Sequence, residues 1–163
     1  MTMTKPRTTC ALIAIAMAPA LLASTSMRAE DAHAVIVTPD KVTWSPGPPS
    51  LPEGAEMMLL EGHPAEDGPL TLRLKFPAGY EIPAHVHPEI EHVTVLSGRF
   101  NAGMGEELDK AGSVELPPGA FVVIPPDMAH FAWASEETVI QLHSNGLWGI
   151  TYIDPSDDPR KTD

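Results

Sequence analysis

Cysteine is almost missing from this chain: among 163 residues there is one, Cys10. It opens an apolar run, "CALIAIAMAPALLA" (residues 10–23), that follows Lys5 and Arg7 and is interrupted by Pro19. A short basic stretch, an apolar stretch of this length and small residues after it read as a secretory signal peptide over residues 1–26. The run is too short, and wrongly flanked, for a stable transmembrane anchor. Cleavage would leave no disulfide, no thiol nucleophile and no thiolate ligand. The expected location is therefore secreted, in the periplasm, with no membrane attachment after cleavage. Cations are scarce too: Lys and Arg number 10 against 22 Asp and Glu, a formal charge of −12. Loss of Lys5 and Arg7 with the signal makes the mature chain more acidic still. Such a surface repels phosphate backbones and anionic lipid, which excludes nucleic acid as a partner. Beyond the signal, the sequence shows no helical periodicity, no internal repeat and no Gly-rich phosphate loop.

Proline and glycine are what the chain has in quantity, 18 and 12 residues. Proline removes a backbone donor, so this density argues against a helical bundle. Turn signals roughly every eight to twelve residues point to many short strands in one all-β domain. We expect a leader and Pro-rich segment over residues 27–54, a barrel over 55–154 and a flexible tail over 155–163. Within the first of these, residues 35–39 ("VIVTP") read as an edge strand and 44–54 as an ordered loop anchored by Trp44 and Leu51. Residues 55–62 read as a strand. "LTLRLKF" alternates strictly, with Leu70, Leu72, Leu74 and Phe76 on one face and Thr71, Arg73 and Lys75 on the other, the period of a half-buried strand. Residues 91–98 and 99–104 read as a hairpin, as do 130–135 and 137–144. Two strands flank Pro117-Pro118-Gly119, and 146–154 is the last strand. The architecture expected is a closed antiparallel barrel or jelly roll.

Three of the seven histidines fall in "PAHVHPEIEHVTVLSG" (residues 83–98), with Glu89 and Glu91. On a strand His85 and His87 share a face, and Glu91 follows a turn at Pro88. His130 sits at another strand start, in "IPPDMAHFAW". Three imidazoles and a carboxylate converging inside a barrel form an N/O site for a divalent transition metal.

The spacing resembles the cupin superfamily. Its first motif runs here as Gly79, "YEIPA", His85-Val86-His87, "PEI", Glu91, "HVTVLS", Gly98, without departure. Its second runs as Gly119, "AFVVI", Pro125-Pro126-Asp127, "MA", His130, "FAW", Ala134, with Asp127 in place of a glycine and Ala134 in place of an asparagine. The resemblance implies a double-stranded β-helix (jelly-roll) barrel, commonly a homodimer, with His85, His87, Glu91 and His130 as ligands to one metal ion. Zn, Fe or Mn would suit this set. Outside the cytosol Zn is favoured over Fe and Mn by intrinsic affinity, whereas Fe or Mn suits the redox chemistry known among cupins. The activity implied is metal-dependent and acts on a small organic molecule. A dioxygenase comes first, a lyase or isomerase if the metal is Zn, and a non-catalytic metal- or ligand-binding module is the alternative.

Other candidates are weaker. From His130, alternation places Ala132 and Ala134 on the ligand face and leaves space beside the metal. Gln141 and His143 share a face with Val139, and His143 is a candidate catalytic acid or base if that face is the cavity. Glu89 and His92 read as outward or supporting, Tyr80 and Arg73 as weak candidates. Met104, Met128, Trp133 and Trp148 read as core.

Overall fold

The computed structural model describes residues 34–161. The expected signal peptide, with Cys10, and the start of the expected leader lie outside the described residues. No helix among those described is long and apolar enough to cross a membrane. The chain forms eleven strands there: β1 (Ser45–Pro46), β2 (Glu56–Glu61), β3 (Pro69–Phe76), β4 (Glu81–Val86), β5 (Glu91–Ser97), β6 (Phe100–Met104), β7 (Val114–Leu116), β8 (Phe121–Ile124), β9 (His130–Ala134), β10 (Thr138–Asn145) and β11 (Thr151–Tyr152).

They build two antiparallel sheets, ordered β1-β2-β3-β10-β5-β8 and β11-β4-β9-β6-β7. From β4 onward the chain passes repeatedly from one sheet to the other, as a jelly roll requires. The alternation read in β3 holds: Leu70, Leu72, Leu74 and Phe76 are buried, and the residues between them are half-buried on the outer face. These side chains meet Val93, Val95, Ile140 and Leu142 of the same sheet and Ile82, Phe100 and Ala132 of the other in one core. Burial of such aliphatic and aromatic side chains is the main stabilising term.

Both expected hairpins are corners instead. β5 pairs with β10 and β8, whereas β6 pairs with β9 and β7. β9 and β10 likewise belong to different sheets. The turn residues Ser97-Gly98 and Ser135-Glu136-Glu137 do reverse the chain, but across the sandwich. Residues 35–39 are not a strand either. They are extended without a ladder, run into a 3₁₀ turn at Pro39–Lys41, and leave Val35 and Ile36 exposed. Pro39, with no N–H, sits where a ladder would have to continue. The last strand shrinks to Thr151–Tyr152. The tail is docked through Arg160, which donates to the Ile150 carbonyl at 3.1 Å and pairs with Asp158.

The Pro-rich segment is ordered as expected. Gly47 N–H donates to the Ala55 carbonyl at 2.8 Å, and Leu51 packs on the core. Trp44 lies under the Lys75 ammonium, 5.0 Å from the ring centre. Two phenols hold the segment from above the barrel: Tyr80 Oη donates to the Pro52 carbonyl (2.5 Å) and Tyr152 Oη to the Ser50 carbonyl (2.8 Å). Burial pushes both hydroxyls up, that of Tyr152 to about 12, so each remains a donor throughout the neutral range.

Candidate metal centre

A strand irregularity aims the first histidine. On β4, Ile82 opposes Ala132 while His85 opposes His130, so three steps along β4 match two along β9. This one-residue bulge at Pro83-Ala84 shifts the side-chain phase, and both Ile82 and His85 face inward. Pro83 belongs at such a point because it offers no ladder donor. β4 ends at Val86, and His87 follows immediately. The turn at Pro88 and Glu89 then leads to Glu91, first residue of β5, inward with Val93 and Val95. His130 opens β9.

The four side chains meet in the barrel interior. Exposure is 3% for His85, 6% for His87, 7% for Glu91 and 3% for His130. Ligand atoms of the three histidines all lie within 4.8 Å of one another, the spacing of a group that can hold a metal ion. Glu91 Oε2 adjoins them, 3.3 Å from His130 Nε2 and 3.8 Å from His87 Nε2.

The ring nitrogens facing away settle the tautomers. His85 Nδ1 donates to the Pro83 carbonyl (2.6 Å), His87 Nδ1 to the Gly149 carbonyl (2.6 Å) and His130 Nδ1 to the Met128 carbonyl (2.9 Å). A carbonyl can only accept, so each Nδ1 carries a proton, and in the neutral ring Nε2 is the nitrogen that presents a lone pair. Orientation of imidazole by its far nitrogen is the standard support of a ligating histidine. Burial, reinforced by the neighbouring imidazoles His130 and His87, holds His85 well below the usual histidine range. Burial lowers His87 too. Both are therefore neutral near pH 7, the form that ligates a metal.

A linkage prediction follows. Unfolded histidines titrate near 6.5, and these two bind protons only at lower pH when folded. The unfolded state thus takes up more protons below about pH 6.5, and stability falls with pH there. The urea midpoint of the metal-free chain is expected to be flat above pH 7 and to drop from pH 6.5 to 5, less steeply in His85→Gln. A midpoint that held or rose toward pH 5 would contradict this.

The histidines and Glu91 line a cavity of ≈ 150 Å³. Its other walls are mainly hydrocarbon, among them Leu72, Leu74, Phe76, Val93, Ile140 and Leu142. Pro48, Ser50 and Leu51 of the tyrosine-held segment also line it.

His143 is not there. β10 does put Val139, Gln141 and His143 on one face, but Ile140 and Leu142 are the buried set and His143 faces outward. It completes a one-way hydrogen-bond chain on the sheet's outer face. Arg73 Nε donates to Gln141 Oε1 (3.0 Å), Gln141 Nε2 to His143 Nε2 (2.9 Å), His143 Nδ1 to Thr71 Oγ1 (3.0 Å), and Thr71 to Glu61 Oε2 (3.2 Å). The role is structural. His92 also faces outward, stacked 6.0 Å from Phe121, and Glu89 stays in the turn. Ala132 lines the cavity, while Ala134 is buried beyond it. Met104 and Met128 are exposed rather than core. Trp133 is half-buried, its indole N–H on Ser113 Oγ. Trp148 is the residue the sequence undervalued: it stacks on His87, ring centres 3.9 Å apart, and lines the cavity. Only its place beside Gly149, whose carbonyl fixes His87, sets it apart.

Known proteins agree with this architecture. A putative acetylacetone dioxygenase from Methylibium petroleiphilum superimposes with a TM-score of 0.61 at 21% identity, covering 82% of this chain and 90% of that one. An RmlC-like cupin from Shewanella frigidimarina gives 0.54 at 14% identity, with 69% and 91% covered. KdgF from Halomonas sp. gives 0.52 at 24%, with 66% and 90% covered. At these identities the likeness establishes the fold. No curated protein sequence matches the chain. The model of the ChrR cupin-like domain, however, matches residues 32–148. That span holds both histidine motifs and all but the last strand, and the chain belongs to the ChrR cupin-like family of the cupin superfamily.

Proposed function

We propose that this protein is a metal-dependent enzyme acting on a small organic molecule, with His85, His87, Glu91 and His130 as the ligands of one divalent ion. The observation that carries the reading is the set of three Nδ1–H groups tied to backbone carbonyls, which turns three Nε2 atoms and one carboxylate toward a cavity with room beside them. The donor set suits Zn, Fe or Mn. Such an ion supplies Lewis acidity and, as Fe or Mn, one-electron chemistry with O₂.

Within that frame a dioxygenase is the favoured activity. A lyase or isomerase needs a group free to carry a proton. With His143 on the outer face, Glu91 and the three imidazoles are the only carboxylate and imidazole side chains among the described residues lining the cavity, and the proposal assigns all four to the metal. The neighbour named as a putative acetylacetone dioxygenase has the highest of the three TM-scores given above. The second reading, a non-catalytic binding module, draws on the same scarcity of polar groups in the walls. Turnover separates the two.

Elemental analysis of protein taken from the periplasm, beside His87→Ala, tests the centre. Near-stoichiometric Fe or Mn, lost in the variant, is the result expected of an oxygenase and leads to oxygen-uptake assays with small ketones. Stoichiometric Zn would move the assay to redox-neutral reactions. No metal, and no uptake of added Fe(II), Mn(II) or Zn(II), would remove the reading.

A further inference from the structure

The three histidines of the centre are not held alike. His85 and His130 each donate from Nδ1 to a carbonyl two residues earlier in the chain, those of Pro83 and Met128. Such a support travels with its own ring. His87 lies past the end of β4 and donates to the Gly149 carbonyl, 62 positions further on. Its second support is the indole of Trp148, with ring centres 3.9 Å apart and planes 21° from parallel. The hydrogen bond fixes the imidazole within its plane, and the stack fixes the tilt of that plane. Both come from residues 146–149, which lie between β10 and β11 and outside the strands.

That segment is pinned at its start and strained. Gly146 is buried so close to the preceding loop that a methyl group on it would overlap the Glu66 carbonyl oxygen. Leu147 follows with φ 59°, a left-handed conformation in which a bulky residue is an outlier. Its side chain is 59% exposed, so burial of the leucine does not offset the cost. Strained backbone persists where its surroundings over-determine it. Here those surroundings are the close approach of Gly146 on one side and the stack of Trp148 on His87 on the other.

Resting on the metal reading above for its consequence, we propose that Trp148 is the positioning residue of the centre. Its indole keeps His87 on the Gly149 carbonyl, and His87 is the ligand that opens when the ion enters or leaves. Opening it displaces one strained segment and leaves every rung of both sheets in place. His85 and His130 oppose each other across the β4–β9 ladder, so freeing either would disturb the sheet.

Proton NMR of the metal-free full chain tests the positioning. A buried, hydrogen-bonded imidazole N–H gives its own downfield signal, and His87→Gln identifies that of His87. Trp148→Leu keeps an apolar side chain but loses the flat face. In it the His87 signal is expected to exchange with solvent at least about tenfold faster, the factor one aromatic stack is worth. The signals of His85 and His130 are expected to keep their rates, and Trp148→Phe to restore that of His87. Unchanged exchange at His87, or equal acceleration at all three, would overturn the proposal. Where the leucine variant does not fold, the unaltered chain decides: its His87 signal is expected to exchange at least about tenfold faster than the other two, and equal rates would overturn the proposal. The same chains, loaded with Zn(II) and mixed with excess chelator, read the consequence. Release is expected to be about tenfold faster from Trp148→Leu and at the unaltered rate from Trp148→Phe, and equal release from both would overturn His87 as the ligand that opens. A chain that takes up no metal removes the metal reading, and the proton signals still decide the role of Trp148.

Discussion

Loading with its metal is expected to raise the melting temperature of this protein by more than about 10 °C, and His130→Ala is expected to abolish the rise. An ion that binds the folded chain alone stabilises it by about 4 kcal/mol when present at a thousand times its dissociation constant. Each kcal/mol is worth roughly 2–8 °C in a domain of this general size. The effect depends on convergence: His130 opens β9 opposite His85, its Nε2 3.3 Å from Glu91. Without that ring two imidazoles remain, and the Met128 carbonyl loses its donor. Scanning calorimetry with and without Zn(II) or Mn(II), at pH 7.5, measures both forms. A shift of equal size in the variant would mean that the ion sits elsewhere.

The second large effect concerns the two glycines that bracket the first motif. Gly79 and Gly98 both have left-handed backbone, φ 80° and 78°, where a side chain costs about 1–2 kcal/mol. Their surroundings differ. A methyl group on Gly79 would have nothing within 4 Å, whereas on Gly98 it would lie 2.2 Å from the Glu137 carbonyl oxygen and 2.6 Å from Thr138 Oγ1. Gly98→Ala is therefore expected to destabilise by about 3–5 kcal/mol, strain and overpacking together, and Gly79→Ala by about 1 kcal/mol. Equal losses in chemical denaturation would show that the crowding at Gly98 relaxes freely.

Gly98 also shows why the motif is spaced as it is. It lies where the β5–β6 corner crosses the β9–β10 corner, and Thr138 Oγ1 accepts from Arg99 N–H at that crossing. Sequence spacing recorded the crossing before its partner was visible. The second motif behaves similarly: Asp127 stands where a glycine is usual, and its φ of 59° is the left-handed conformation that glycine would supply. Aspartate is among the few residues that tolerate it.

What the sequence hid has physical causes. A turn such as Ser97-Gly98 reverses the chain whether the next strand joins the same sheet or the opposite one, so two corners read as hairpins. The period of two in β10 is legible, but choosing which of its faces meets the cavity needs the neighbouring strands, so the sequence left the side of His143 open. The bulge at Pro83-Ala84 changes phase within one strand, which no strict alternation expresses. Trp148 reaches His87 from a loop 61 positions away in the chain, a separation that leaves no local trace.

The Pro-rich segment adds a kinetic consequence. It lines the cavity from one side of the chain while its clasp, Tyr152, lies 102 positions further on from Ser50. Contacts that distant form late, and four prolines at positions 46, 48, 49 and 52 keep the loose segment short of alternative shapes. The barrel and its histidines can therefore assemble first and the wall shut afterwards. Release of this wall needs two phenolic tethers parted, not the barrel unfolded.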